Sequence, residues 1–397
     1  MSANPQHVEL TDEQTQLVKR LCKWYRSGTD KQWFAYTGAA GTGKTTVVNQ
    51  AIEELGISRY LCCAYVGKAV SVLAQHGLPA STIHSMIYDV HWVEQTDAAG
   101  EIILRPDGRP KMKVEFTLRD SIRGDPQLLV VDEATMVNDD LCEDILSFGI
   151  KTVFIGDNNQ LPPVFGVSSI MSMPDFWLTK IMRQSEDNPI VYLSQKVLKR
   201  ERIPYGTYGQ SRVMPYLYLG ENYRDYGMIL TPKNRVRDDI NRHIREHVLG
   251  YSSPTPVIGD RLVCRQNDWN RLVDGNLALT TGMVGTVVDI DRSDCGPGYM
   301  TIDFHPDIAH GDFLGLRLDA RYIQMDYEDR KPYGISSYEK FEYGYATTVH
   351  QAQGSQAESV LFNDQWFYDA ELTKRVRYTG ITRASEKVDI VSEIRFR

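Results

Sequence analysis

Apolar side chains recur along this sequence with two alternating patterns. Residues 8–27 set Val18, Leu21 and Trp24 at helical spacing among Lys and Arg, which predicts an amphipathic helix. Trp33-Phe34-Ala35-Tyr36-Thr37 is then a short apolar run of the kind that forms a buried strand, and Thr45 to Leu55 returns to helical spacing. Tyr60-Leu61-Cys62-Cys63-Ala64, Leu128-Leu129-Val130-Val131 and Thr152-Val153-Phe154-Ile155 predict further buried strands. Strands that alternate with helical stretches imply a parallel sheet covered on both faces, and hence an α/β fold.

The alternation breaks twice. Between about 88 and 117, Glu101-Ile102-Ile103-Leu104 and Lys113-Val114-Glu115-Phe116 flank the turn-forming Pro106-Asp107-Gly108, which predicts a projecting β-hairpin. A second α/β pattern starts near 181, with Met228-Ile229-Leu230-Thr231 as a strand and 233–248 as a charged helix. From 253 to about 343, Pro, Gly and short runs such as Arg261-Leu262-Val263-Cys264 and Gly285-Thr286-Val287-Val288 predict a small β-rich insertion. Val360-Leu361-Phe362 and Val388-Asp389-Ile390-Val391 then resume the sheet. The expected organisation is two domains, 1–180 and 181–397, each carrying one insertion, and 397 residues suit that division.

Composition narrows the class. With 42% apolar and 24% charged residues the chain is globular, and its apolar runs fall short of the ~20 residues of a membrane span. The start Met1-Ser2-Ala3-Asn4-Pro5 has no basic, apolar leader, so a cytoplasmic location is expected. The six cysteines, at 22, 62, 63, 142, 264 and 295, form no Cys-x-x-Cys pair; buried thiols are expected rather than zinc or disulfides. A net charge of −8 argues against coating nucleic acid by bulk attraction but leaves a local basic groove open.

Chemistry concentrates at two places. Gly38-Ala39-Ala40-Gly41-Thr42-Gly43-Lys44-Thr45 matches Gly-x-x-x-x-Gly-Lys-Ser/Thr in full, with a strand leading in and a helix leading out. Such a loop wraps phosphate in backbone N–H groups at a helix N-terminus, so ATP is the expected ligand, with Thr46 also beside it. Lys44 would pair with the β- and γ-phosphates and the Thr45 hydroxyl would hold Mg2+. The strand Leu128–Val131 ends in Asp132-Glu133. Asp132 suits Mg2+, through water, and Glu133 suits the general base that takes a proton from the attacking water. The competing reading of these two acids is simple helix capping.

Five segments in order then resemble one family. Together with the phosphate loop, Asp132-Glu133-Ala134-Thr135-Met136, Gly156-Asp157-Asn158-Asn159-Gln160-Leu161-Pro162-Pro163-Val164, Val349-His350-Gln351-Ala352-Gln353-Gly354-Ser355 and Tyr378-Thr379-Gly380-Ile381-Thr382-Arg383-Ala384 resemble the motifs of superfamily 1 helicases of the RecD-like, phage Dda-like branch. The resemblance implies two RecA-like P-loop domains in tandem with ATP between them, a hairpin insertion in the first and an SH3-like insertion in the second. It implies an ATP-dependent DNA helicase moving 5′-to-3′ on single-stranded DNA, in replication, recombination or repair, in a bacterial cell or phage-infected host. Further implied are a monomer acting on forked duplex, with a single-strand-binding or replication/recombination protein as partner and no membrane. An ATP-driven clamp that does not unwind, and an RNA helicase of the same superfamily, stay open as alternatives.

Residue roles follow from the same resemblance. Gln14 would read adenine; Gln160 would sense the γ-phosphate; Arg183 and Arg383 would reach it from the second domain, Arg383 as an arginine finger; Gln353 and Gly354 would lie near the nucleotide. Lys68, Thr82, His84, Thr348 and His350 would contact the DNA strand, and His91, Trp92 or Phe116 would separate the duplex at the hairpin. Two positions depart from the family: Tyr65-Val66 stands where Pro-Thr is usual, and Gln351 where Lys often follows His.

Overall fold

The structure is a computed structural model that describes residues 10–396 apart from 66, 68, 71–72, 74–76, 98, 104–109, 111, 163–165, 182–187, 275–276, 294–297, 326 and 331–338. The chain forms two compact units: Met1–Asp89, Thr117–Arg202 and Ala370–Thr382 make the first, and Val90–Phe116, Ile203–Asp369 and Arg383–Arg397 the second.

In the first unit six parallel strands form one sheet. They are β1 (Trp33–Gly38), β2 (Tyr60–Ala64), β3 (Ala80–Thr82), β6 (Leu128–Asp132), β7 (Thr152–Gly156) and β8 (Phe176–Leu178), in the order β3-β2-β6-β7-β1-β8. Alternate side chains divide between its faces, as strand geometry requires. Phe34, Tyr36, Cys62 and Val130 pack with Leu17 and Leu21 of helix α1 (Asp12–Arg26) and Val47, Val48 and Ala51 of helix α2 (Lys44–Leu55). Ala35, Cys63, Leu129, Val131 and Phe154 pack with Ile83, Leu141 and Ile145 on the other face. The expected α/β fold with a doubly covered parallel sheet is therefore present.

Common strand direction places Gly38, Ala64, Thr82, Asp132 and Gly156 at one edge of this sheet. Thr82, Ala64 and Asp132 are level with one another on three neighbouring strands. The expected boundary at 180/181 falls inside this unit. Helix Ala370–Ile381 belongs to the same unit as helix Pro189–Leu198, and Arg200 Nη2 donates to Glu371 across 3.0 Å.

Strands β4 (Tyr88–Glu94) and β5 (Met112–Leu118) form a two-stranded sheet. The strand paired with the second arm is thus 88–94, not the expected 101–104. Tyr88-Asp89-Val90-His91-Trp92-Val93-Glu94 offers alternating aromatic and β-branched residues, whereas Ile102 makes an isolated bridge to Thr96. The turn residues 106–108 lie outside the described residues.

The second unit has a sheet in the order β19-β11-β20-β21-β10-β9. Strands β10 (Ser211–Leu219), β11 (Met228–Thr231), β19 (Thr347–Thr348), β20 (Ala357–Asn363) and β21 (Ala384–Phe396) are parallel, and β9 (Gly206–Tyr208) is antiparallel at the edge. The charged stretch 233–248 forms helix Asn234–His243 and a wider turn over Ile244–Val248. Between β11 and β19, strands β12 (Arg261–Cys264), β15 (Val284–Asp291), β16 (Tyr299–Pro306), β17 (Phe313–Asp319) and β18 (Phe341–Tyr343) form an antiparallel sheet, beside the pair β13 (Asp268–Val273) and β14 (Leu277–Leu279). Its core holds Leu262, Val287, Ile302, Phe304, Leu316 and Phe341. At Gly285 a Cβ would lie 2.2 Å from the His305 carbonyl oxygen, so the β15–β16 approach requires glycine there.

Candidate nucleotide and strand sites

The phosphate loop runs from the end of β1 into α2. Gly41 and Gly43 adopt φ of 81° and 75°, a left-handed conformation that other residues enter at a cost. A Cβ on Gly43 would lie 2.4 Å from Gln14 Nε2, so this position is closed sterically as well. Gln14 itself is buried. It accepts from Thr11 N–H in a capping box that starts α1, and its Nε2 donates to the Thr42 carbonyl across 2.9 Å. The residue expected to read adenine thus also braces the loop backbone. Tyr36, fully buried, donates its hydroxyl to the Lys44 carbonyl at 2.7 Å. The Lys44 ammonium donates to the Gly38 carbonyl at 2.8 Å.

Asp132 and Glu133 stand at the end of β6, on the same sheet edge as the loop. Burial, and then the neighbouring Glu133 charge, push the Asp132 carboxyl from its ordinary 3.8 up to about 6; a hydrogen bond from Glu133 N–H and the Lys44 charge act the other way. Glu133 has φ of 50°, unusual for a residue with a side chain and a strain of roughly 1–3 kcal/mol. That backbone turns the two consecutive carboxylates away from strand geometry at the point where the sequence places the chemistry.

Among the described residues no cluster of three or more His, Cys, Asp or Glu side chains is arranged to hold a metal. One hydroxyl, Thr45, and one carboxylate, Asp132, nevertheless fit Mg2+, which fills most of its six oxygen positions with water and phosphate. The five described cysteines are buried, as expected, and burial pushes Cys22 up to about 11 and Cys62 to about 12, so neither is a ready nucleophile.

The segment after β7 is fixed by a residue that sequence reasoning left without a role. Tyr378, fully buried on helix Ala370–Ile381, accepts from Ala40 N–H of the phosphate loop at 2.7 Å and donates to Asp157 at 2.5 Å. Asp157 is itself buried and also accepts from Asn159 N–H and Nδ2. Around this bridge Thr379 accepts from Leu161 N–H at 3.1 Å and Arg375 donates to the Gln160 carbonyl at 2.9 Å. Gln160 therefore lies on a segment tied to the loop through one hydroxyl. The only sequence signal was a tyrosine five residues before Arg383, inside a motif already attributed to the arginine.

The second unit holds its own group. Arg383 is buried and its Nη1 donates to the Ser355 carbonyl at 3.3 Å, beside Gln353 and Gly354. Thr348 is buried at the end of β19 and accepts from Gln351 N–H, while His350 is exposed just beyond it. In the first unit, Thr82 caps the short helix Ile83–Ile87 by accepting from Ser85 N–H at 3.2 Å, and His84 lies on that helix. Arg183 and Lys68 lie outside the described residues, as does the side chain of Trp92; Phe116 is exposed on β5.

Residues 9–204 match the family described as an AAA domain, and residues 343–391 the UvrD-like helicase C-terminal domain. The ATP-dependent RecD2 DNA helicase of Deinococcus radiodurans is 25% identical over 381 residues, which cover 88% of this chain and 46% of that protein. The RecBCD enzyme subunit RecD of Mycobacterium tuberculosis is 24% identical over 399 residues, covering 89% of this chain and 66% of that one. The chain thus spans less than two thirds of either relative. Among solved structures, Bacteroides Pif1 bound to ssDNA shares the fold with a TM-score of 0.52 at 16% identity, over 96% of this chain and 92% of that one.

The Asp132 environment sets a pH-dependent stability. A carboxyl raised to about 6 costs the folded state stability once ionised, so the cost is absent below about pH 4 and complete above the raised value. Asp132→Asn should raise the unfolding free energy of nucleotide-free, chelator-treated protein by roughly 1–3 kcal/mol at pH 8, with the gain gone at pH 4. Thermal or urea unfolding at the two pH values checks this; an equal gain at both would remove the electrostatic cause. Tyr378→Phe should lower kcat for ATP about tenfold while KM stays within about threefold, because the bridge positions reacting groups rather than binding substrate. A rise in KM alone would make Tyr378 a binding support instead.

Proposed function

We propose that this chain is a superfamily 1 helicase of the RecD kind, an ATP-driven DNA helicase moving 5′-to-3′ along single-stranded DNA. The observation that carries the reading is the convergence, on one sheet edge, of the phosphate loop, the Asp132-Glu133 pair and the Tyr378–Asp157 bridge. That arrangement supports turnover of ATP rather than mere phosphate binding.

In this reading the loop N–H groups and Lys44 grip the β- and γ-phosphates. Mg2+, held by Thr45 and Asp132, would offset phosphate charge. Glu133 accepts the proton of the attacking water. Gln160, on the segment after β7, responds to the γ-phosphate, and Gln14 holds the loop at the adenine end. Arg383 and Arg183 supply positive charge as the phosphoryl group leaves, and Gln353 and Gly354 lie near the same nucleotide. Lys68, Thr82, His84, Thr348 and His350 serve the strand. Successive ATP cycles alternate the grip of the two units, and the β4–β5 sheet separates the duplex. Single-stranded and forked DNA are the proposed partners of a working monomer.

Strand separation on partial duplexes tests this directly. With excess Mg2+ and ATP, a 5′-tailed duplex should open, a 3′-tailed one should not, and Lys44→Ala should open neither. Opening from the 3′ tail alone would reverse the polarity. Robust DNA-stimulated hydrolysis without opening would favour the ATP-driven clamp, and stimulation by RNA but not DNA would change the substrate. Arg383→Ala should slow hydrolysis by about 10³-fold or more with little loss of ATP affinity; parallel losses in both would demote it to a binding residue.

A further inference from the structure

Tyr65 places a ring where the family this chain resembles usually has proline. Tyr65 directly follows Ala64, the last residue of β2, and is 40% exposed. Its ring meets His84 edge-on with centroids 5.7 Å apart, and His84 in turn lies 5.7 Å from Tyr88. The Tyr88 hydroxyl is anchored on the Asp144 carboxylate. The three aromatic groups thus form a row at the β2–β3 margin of the edge that carries the phosphate loop, with the outermost ring open to solvent.

We infer that Tyr65, braced by His84 and Tyr88, is a stacking platform for a base of single-stranded DNA. The inference rests on the proposal that the chain binds such a strand. An exposed ring held from behind surrenders little conformational freedom on stacking, and every base has a face to offer it. Burial holds the His84 imidazole below its usual range and so favours its uncharged form beside the Tyr65 ring. The surface offered to a base is the Tyr65 ring, which carries no charge. It adds affinity that salt does not screen, and it requires a base, not merely a sugar–phosphate backbone.

The test measures fluorescence polarisation with an end-labelled oligothymidylate and with an abasic strand of equal length, across a salt series. Wild type, Tyr65→Phe, Tyr65→Leu and His84→Leu are compared. Tyr65→Phe should bind oligothymidylate within about twofold of wild type, whereas Tyr65→Leu should bind about tenfold more weakly with an unchanged salt slope. On the abasic strand wild type and Tyr65→Leu should be alike. His84→Leu, which removes the brace and leaves the ring, should give a base-dependent loss of the same kind. Wild-type affinity in Tyr65→Leu, or a deficit that persists on the abasic strand, would overturn the platform. Failure of wild type to bind either strand would instead remove the single-stranded DNA reading on which it rests.

Discussion

The backbone conformation of seven consecutive residues, from Gly38 to Lys44, is the constraint on which the rest of this molecule depends. Side-chain chemistry alone cannot aim backbone N–H groups at a phosphate; the main chain must turn through left-handed angles and be held there. Gly41 and Gly43 permit the turn. Gln14 holds it at Thr42, Tyr36 at Lys44 and Tyr378 at Ala40, from positions up to 338 residues away in sequence. The site is therefore a product of tertiary packing as much as of the local motif. A loop with the same sequence but without these partners would carry the residues and not the geometry.

The carboxylates show the same dependence in electrostatic form. Asp132 and Glu133 are adjacent, and the ionised Asp132 is disfavoured by burial and by its neighbour's charge, with partial relief from the Glu133 N–H hydrogen bond and from Lys44. Glu133 adds backbone strain. Both features oppose folding. Costs of this kind persist where chemistry needs concentrated negative charge, which supports a catalytic role over helix capping. Glu133 precedes the 3-10 turn Ala134–Met136, yet its side chain makes no capping hydrogen bond there.

Much of this was legible in the sequence because the signals were local. Short apolar runs located β1, β2, β6 and β7 to within a residue, since a buried parallel strand needs little more than continuous hydrophobicity between turn residues. The phosphate loop declared itself because its glycines are demanded by backbone sterics. What stayed hidden depended on long-range pairing. Residues 101–104 looked as suited to a strand as 88–94, and only the tertiary partner chose between them. Tyr378 was visible as a letter in a motif, but its bridge joins residues separated by 338 and 221 positions, and no periodicity encodes that. Gln14 is expected from the resemblance to read adenine, but the capping box and the Thr42 carbonyl that engage it follow from α1 packing against α2.

The acidic balance of the chain gives the aromatic row at β2 its significance. A protein of net charge −8 that is to hold a polyanion must confine its cations to a groove, and each ionic contact weakens as salt rises. Base stacking escapes that limit because it draws on ring area instead of charge. The row also lies close to the nucleotide chemistry: Ala64, immediately before Tyr65, is level with Asp132 on the adjacent strand β6, about 5 Å away in the hydrogen-bonding direction. A displacement of the Asp132-Glu133 turn during hydrolysis need cross only one strand to reach the residue proposed to hold a base. The proposed base platform at the end of β2 thus stands one strand away from the carboxylates at the end of β6.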